Sequence, residues 1–345
     1  MGSTQNYAYT TLITKSSYLA GVIVLAYSMQ KQGCKYPLVV YYPKSLAESS
    51  VQALKNESQS LNLVLRKTEM LLPKDNANIT LIAERFGDTW TKLRVFDIFE
   101  LGYEKVCYLD ADMIVAKNMD EVFDIELPGQ DWLGANHACV CNLDKDAWAP
   151  EDWVKENCGY TAVTHPEALK NPTPVKPDSR RTYHLLNSGM FLYHPSKKLW
   201  DDMLSYFNTS DKLKTYMFPD QDFLADFFKN KWRSMGWQYN ALKTMRYWHE
   251  NIWRDDEVVC LHYIVDKPWS KRVGEDGVAG YLGRDGITHT WWWELESEWE
   301  AQANKESVEI VSKFMARPIG QEGEESEEMR AIGSGVQAFA NNKMK

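Results

Sequence analysis

The sequence predicts an α/β fold built on a mostly parallel central sheet, and three observations support that class. In the N-terminal third, short runs rich in β-branched and aromatic residues alternate with longer helix-forming segments, the signature of βαβ units. The apolar fraction is 44% and the charged fraction 25% over 345 residues, an ordinary globular composition with enough chain for one large core. No internal repeat, P-loop or Gly-rich dinucleotide fingerprint is present, which removes repeat architectures and the commonest phosphate-binding turns.

The elements follow in order. "YAYTTLI" reads as a strand, and "SSYLAGVIVLAYSMQKQG" as a helix opened by Ser and closed by Gly33. "YPLVVYYP" is a second strand, followed by a polar helix over about 45–60, and "LNLVLRKTEML" is a third strand. "TWTKLRVFDIFELG" is an amphipathic helix ending at Gly102, which leads into the strand "KVCYLDAD". Residues 127–186 are rich in Pro, Asn, Asp and Trp and read as a long irregular insertion. Regular patterning returns with the strand "LLNSGMFLYHPS", helices near "KKLWDDMLSYFN" and "DQDFLADFFKNK", and the strand "EVVCLHYIV". Beyond about residue 300 the chain turns acidic and polar, and a loosely held, partly disordered tail is expected.

Composition excludes several function classes. A net charge of −9 argues against a nucleic-acid partner, which calls for a clustered basic surface. The 14 Trp and 18 Tyr suit sugar binding, but read first as core. The N-terminus lacks the basic start and apolar stretch of a secretory signal. The apolar run Leu19–Met29 is too short for the ~20 residues of a membrane span, so a soluble, cytoplasmic chain is expected. Six scattered cysteines read as free thiols. Cys139-x-Cys141, with His137 and Cys158 nearby, matches no standard zinc-ligand spacing.

The chemistry concentrates where "VCYL" ends in Asp110-Ala111-Asp112 before apolar residues resume. Alternation along a strand points both carboxylates the same way, at the end of a parallel strand where ligands bind. Neighbouring carboxylates repel, and burying them is costly unless a cation intervenes. A divalent ion shared with substrate phosphates meets both needs; capping of the next turn by solvent-facing carboxylates is the competing reading.

Five ordered segments, "YLDADMIVAKNMDEVFD", "LLNSGMFLYHPS", "PDQDFLADFF", "QYNAL" and "HYIVDKPWS", together resemble the family 8 retaining glycosyltransferases, which include glycogenins and galactinol synthases. The resemblance runs from about Tyr7 to about Trp293. It implies a single GT-A nucleotide-sugar transferase domain over residues 1–298, with a nucleotide-binding half at 1–126, the insertion at 127–186 and a donor-sugar and acceptor half at 187–298. Residues 299–345 would be the acidic tail. By the same resemblance, Asp110-Ala111-Asp112 is the donor-binding tripeptide, and Asp110, Asp112 and His262 hold Mn²⁺, with Mg²⁺ as an alternative. An imidazole ligand favours Mn²⁺. Lys267 would neutralise the departing diphosphate. The spacing of four residues between His262 and Lys267, without Gly, is shorter than in glycogenins.

The resemblance also places Leu12, Thr14, Lys15 and Tyr18 against uracil and ribose, although the family often has Asn in place of Lys15. Arg85 and Lys92 would lie near the donor sugar and diphosphate, and Asn187-Ser188-Gly189 would line the sugar, Gly189 permitting close backbone approach. Asp220 and Gln221, with Lys267, form the implied catalytic group; Asp222 is expected to cap or face the helix surface. The implied activity moves galactose or glucose from UDP-galactose or UDP-glucose, with retention, to a hydroxyl acceptor such as myo-inositol. The long insertion favours the galactinol-synthase pattern over glycogenin. Retention is expected through front-face attack, with a covalent intermediate on Asp220 as the other route. Two further readings stay open: a self-glucosylating primer with Tyr247 as acceptor, and a non-catalytic UDP-sugar-binding protein. A small-molecule donor and acceptor, no nucleic acid, no membrane span and an open choice of monomer or homodimer complete the expectations.

Overall fold

The structure, a computed structural model, describes residues 6–73 and 89–316. Among the described residues, ten strands run in chain order: β1 (Tyr7–Leu12), β2 (Leu38–Pro43), β3 (Leu63–Thr68), β4 (Lys105–Leu109), β5 (Met113–Val115), β6 (Leu133–His137), β7 (Leu186–Tyr193), β8 (Trp232–Ser234), β9 (Ala241–Leu242) and β10 (Cys260–His262). Seven form the central sheet in the order β3-β2-β1-β4-β7-β6-β8, and the other three form a small sheet, β5-β10-β9. β1 to β4 are parallel, β7 runs against β4 and β6, and β8 is parallel to β6. This is the α/β class with the mostly parallel sheet that the sequence predicts.

Period-2 alternation sorts the sheet into two cores. Tyr9, Cys107 and Leu109 belong to one apolar cluster, whereas Ala8, Val106 and Tyr108 belong to the cluster on the opposite face. Helix α1 (Leu19–Lys31) is buried continuously from Leu19 to Met29. A helix apolar on all sides needs neighbours on all sides. The central core supplies one, and β5 and a later helix supply others. Gly33, at φ +69°, ends the helix, its N–H donating to Gln30 O at 3.0 Å. Helix α2 (Glu48–Glu57) falls inside the polar segment expected to be helical. The amphipathic stretch before β4 is wound as 3₁₀ turns over Lys92–Leu101, tighter than the α-helix its pattern suggests, with Leu93, Val95, Phe96 and Ile98 buried.

Two boundaries differ from expectation. β6 lies inside the supposed irregular insertion and is flanked in the sheet by β7 and β8. Its sequence, Leu-Gly-Ala-Asn-His, is poor in strand formers, so only its long-range pairing makes it a strand. At the other end, the break expected after residue 298 falls within helix α5 (Gly286–Glu300). Here α3 is Lys197–Thr209 and α4 is Pro219–Phe227. A further helix, α6 (Lys305–Val311), has its first N–H groups capped by the Asn304 side chain and packs on α2 with Ile310 and Val311 buried. Glu57 of α2 accepts from Asn304 N at 3.1 Å and from Trp299 Nε1 at 3.4 Å, so this part of the tail is built into the fold. Among the described residues, no helix is long and apolar enough to cross a membrane.

A fully buried ion pair lies just beyond β9. Lys243 Nζ sits 2.5 Å from Asp285 and 3.4 Å from His289 Nε2, with Asp266 at 3.6 Å. Burial, then the charge of Lys243, pushes the His289 imidazole down to about 3. The unfolded chain takes up a proton at this residue below pH ~6.5 while the folded chain resists until about pH 3. Stability is therefore expected to be undiminished by this group above pH ~6.5 and to fall as pH drops towards 3. Chemical denaturation across that range should show a shallower slope for His289→Gln than for the wild type.

Candidate active site

Strand register assembles one edge of the sheet. β1 and β4 are parallel, with Thr10 opposite Tyr108, so their carboxyl ends at Leu12 and Leu109 open on the same side. β7 is antiparallel to β4, with Met190 opposite Leu109, which brings its first residues, Asn187 to Gly189, to that edge. Asp110 N donates to Gly189 O at 2.8 Å. After Leu109 the chain turns through Ala111 and Asp112 and enters β5, in the other sheet. β5 pairs antiparallel with β10, Met113 opposite His262, and this places His262 against the turn. The two carboxylates thus share a site through a turn and a change of sheet, not along one continuous strand as the alternation argument assumed.

One carboxylate oxygen each from Asp110 and Asp112 and one imidazole nitrogen of His262 lie within 4.8 Å of one another. His262 Nε2 is 3.4 Å from Asp112 Oδ1 and 3.9 Å from Asp110 Oδ2. A chain of hydrogen bonds fixes the orientation of the His262 ring. The N–H of Gly189 donates to Asn187 Oδ1 at 3.0 Å. Asn240 Nδ2 donates to the same oxygen at 2.9 Å, which turns Asn240 Oδ1 towards His262 Nδ1, also at 2.9 Å. His262 must therefore carry its proton on Nδ1 and present Nε2 to the carboxylates. A Cβ at position 189 would overlap the His262 ring, so glycine is required for this approach. Two carboxylates and one imidazole fit a divalent ion of oxygen preference.

Two lysines balance the acids. Lys267 Nζ donates to Asp112 Oδ2 and, at 2.8 Å, to Tyr263 O. Burial alone would keep Asp112 protonated, but Lys267 and His262 hold its carboxyl well below the usual range. Lys92 Nζ bridges Asp110 Oδ1 at 3.0 Å and Asp220 Oδ2 at 2.5 Å. Burial opposes its charge, yet Asp110 and Asp220 push the Lys92 ammonium up. Ser188 Oγ also donates to Asp220, at 2.8 Å, and Tyr108 Oη donates to Asp110 at 2.6 Å.

The remaining sequence-derived positions are distributed around this centre. Leu12 ends β1, Thr14 and Lys15 follow it, and Tyr18 stands edge-on to Trp269 with ring centroids 5.6 Å apart. A Cβ on Gly21 of α1 would collide with Ala111 O and the Trp269 ring, which brings these segments together behind the acidic turn. Asn187 Nδ2 reaches Gln221 Oε1 at 3.4 Å. Asp222 accepts from Met217 N at 2.6 Å and Phe218 N at 2.9 Å, bracing the entry to α4. Arg85 lies outside the described residues. Asn240, which orients His262, and Tyr108, which holds Asp110, escaped sequence reasoning as site residues. Both sit inside quoted segments, "QYNAL" and "YLDAD", but nothing in their spacing marks a hydrogen-bonding role.

Comparison with known proteins bears on family and fold. The sequence model of glycosyl transferase family 8 matches residues 7–272. Galactinol synthase 4 of Arabidopsis thaliana is 27% identical over 317 residues, covering 90% of this chain and 84% of the relative. Galactinol synthase 3 of the same plant is 29% identical over 297 residues, covering 83% and 80%. Among solved structures, galactosyltransferase LgtC, in complex with donor and acceptor sugar analogues, superimposes with a TM-score of 0.53 at 20% identity, covering 85% of this chain and 99% of LgtC. The glycosyltransferase GlyE of Streptococcus pneumoniae TIGR4 gives a TM-score of 0.53 at 17% identity, covering 92% of this chain and 66% of GlyE. The fold is thus the GT-A type. With the family match spanning most of its length, this chain belongs to glycosyltransferase family 8 and is a retaining glycosyltransferase.

Proposed function

We propose that the chain is a hexosyltransferase that moves galactose or glucose from a UDP-sugar to a hydroxyl of a small polyol, myo-inositol being the first choice, with Mn²⁺ as cofactor. The single observation that carries this reading is the orientation of His262: its Nε2 faces Asp110 and Asp112, a donor set suited to an ion on a nucleotide diphosphate. The relatedness to galactinol synthases supports the choice of sugar and acceptor.

In this mechanism Asp110, Asp112 and His262 would hold Mn²⁺, which when bound supplies Lewis-acid stabilisation of the leaving diphosphate. Lys267, buried beside Asp112, adds a fixed positive charge where negative charge develops. Leu12, Thr14, Lys15 and Tyr18 border the nucleoside side of the edge. Asn187, Ser188, Gly189, Asp220 and Gln221 border the sugar side. The carboxylate of Asp220 is already engaged by Lys92 and Ser188. So committed, it is a poor nucleophile and a good electrostatic partner, which favours front-face attack over a covalent intermediate. Asp220→Asn is expected to lower kcat roughly 100-fold and leave measurable turnover. Complete loss, restored by added azide or formate, would instead establish the covalent route.

Asn240→Leu removes the acceptor that fixes the tautomer of His262. We expect the Mn²⁺ concentration for half-maximal activity to rise about 10–100-fold, with kcat at saturating metal changed much less. The metal dependence of UDP release measures both.

Self-glucosylation on Tyr247 fits poorly. Its hydroxyl is buried without a hydrogen-bond partner among the described residues, and the Arg284 guanidinium lies 5.3 Å from its ring centroid. The function itself is tested by screening UDP release from UDP-galactose and UDP-glucose against myo-inositol, simple sugars and buffer alone, with and without chelator. Turnover with one hexose donor, enhanced by a polyol and abolished by chelation, is expected; binding without turnover would identify a UDP-sugar-binding protein instead.

A further inference from the structure

The cysteines are not scattered in space. All six are free, but Cys139, Cys141 and Cys158 converge with His249 so that one ligand atom from each lies within 4.8 Å of the others. The Sγ atoms of Cys139, Cys141 and Cys158 are 3.3, 3.2 and 3.6 Å from His249 Nε2, and Cys158 Sγ is 4.0 Å from Cys139 Sγ. Tetrahedral Zn²⁺ with bonds of ~2.3 Å to sulfur and ~2.0 Å to nitrogen places its ligand atoms about 3.5–3.8 Å apart. The measured separations bracket that value. We propose that Cys139, Cys141, Cys158 and His249 form a structural zinc site, separate from the acidic centre and independent of the reaction assigned to it.

The chemistry and the surroundings agree. Three thiolates and one imidazole make a closed four-ligand set of the type that selects zinc, with no position left for substrate. Cys141, Cys158 and His249 are buried, and Cys139 is partly so. Zinc would be held by three thiolates, leaving a net charge of −1 on the cluster. His137, two residues before Cys139, takes no part: its Nε2 lies 2.7 Å from Thr173 O. The histidine that does converge is contributed from 91 to 110 positions further along the chain.

The site has a clear mechanical role. Cys139 and Cys141 follow β6, Cys158 lies deep in the insertion, and His249 ends the helical turn Met245–Trp248 that follows β9. Asn251, two residues on, donates to Tyr160 O at 2.9 Å and Val163 O at 2.7 Å. A zinc ion here would staple the insertion to the segment that carries Asn240 and Lys243, giving an irregular loop the rigidity that its sequence cannot supply.

The test is metal content and spectroscopy on the full chain. Protein purified without chelator should hold one equivalent of zinc by elemental analysis and keep it through gel filtration in EDTA. Cys141→Ser and His249→Ala should lose that zinc roughly tenfold or more, with a lower thermal midpoint, while Cys34→Ser and Asp112→Asn keep it. Should the cluster variants fail to fold, Co²⁺ titration of the wild-type chain still decides. Thiolate charge-transfer and intense tetrahedral ligand-field bands support the site. The proposal is overturned by wild-type protein that takes up neither zinc nor cobalt in this form, by equal zinc in Cys141→Ser, or by a Cys139–Cys158 disulfide as the bulk species.

Discussion

Two aspartates one residue apart cannot both remain ionised at the end of a buried strand unless positive charge surrounds them. Here Lys92 is bonded to Asp110, Lys267 to Asp112, and the His262 imidazole faces both. Each of these partners comes from a distant segment, so the acidic turn acts as an electrostatic anchor that fixes the relative positions of β4, the 3₁₀ segment before it, and the loop after β10. The rest of the site is arranged around that balance.

The sheet topology makes the balance reachable. If β7 were parallel to β4, its opening residues would lie at the other edge, and neither Ser188 nor Gly189 would meet the acidic turn. If β5 continued in the central sheet, His262 would have no strand beside Met113 on which to stand. The antiparallel strand and the small second sheet therefore look irregular against an ideal parallel fold, yet they deliver the residues that the sheet edge itself lacks. Lys92 then couples Asp110 to Asp220, so a change of charge on one is felt by the other.

Much of this was legible in the sequence. Alternating strand and helix patterns predicted the class and placed β1, β2, β3, β4, α1 and α2, because apolar periodicity is a local property. The Asp110-Ala111-Asp112 tripeptide and His262 stood out by chemistry and by family resemblance, and the structure brings them together. β6 and β8 did not stand out: β6 is composed of weak strand formers and β8 is only three residues long, and both exist because a neighbour supplies their hydrogen bonds. The helix spanning residue 298 was hidden for a related reason, since its acidic, polar stretches resemble those of a free tail while Trp292 packs on Trp269 and Trp299 reaches Glu57 of α2.

What the sequence by itself determined was the alternation of elements, the carboxylate pair at a strand end and the membership of a family. What only the tertiary structure decided was partnership: which proton His262 carries, which acids the lysines neutralise, and which histidine meets the three cysteines. The physical reason is range. Periodicity and propensity act over a few residues, whereas Asn240 reaches His262 across 22 positions, Cys139 reaches His249 across 110 and Lys267 reaches Asp112 across 155, distances along the chain that only folding closes.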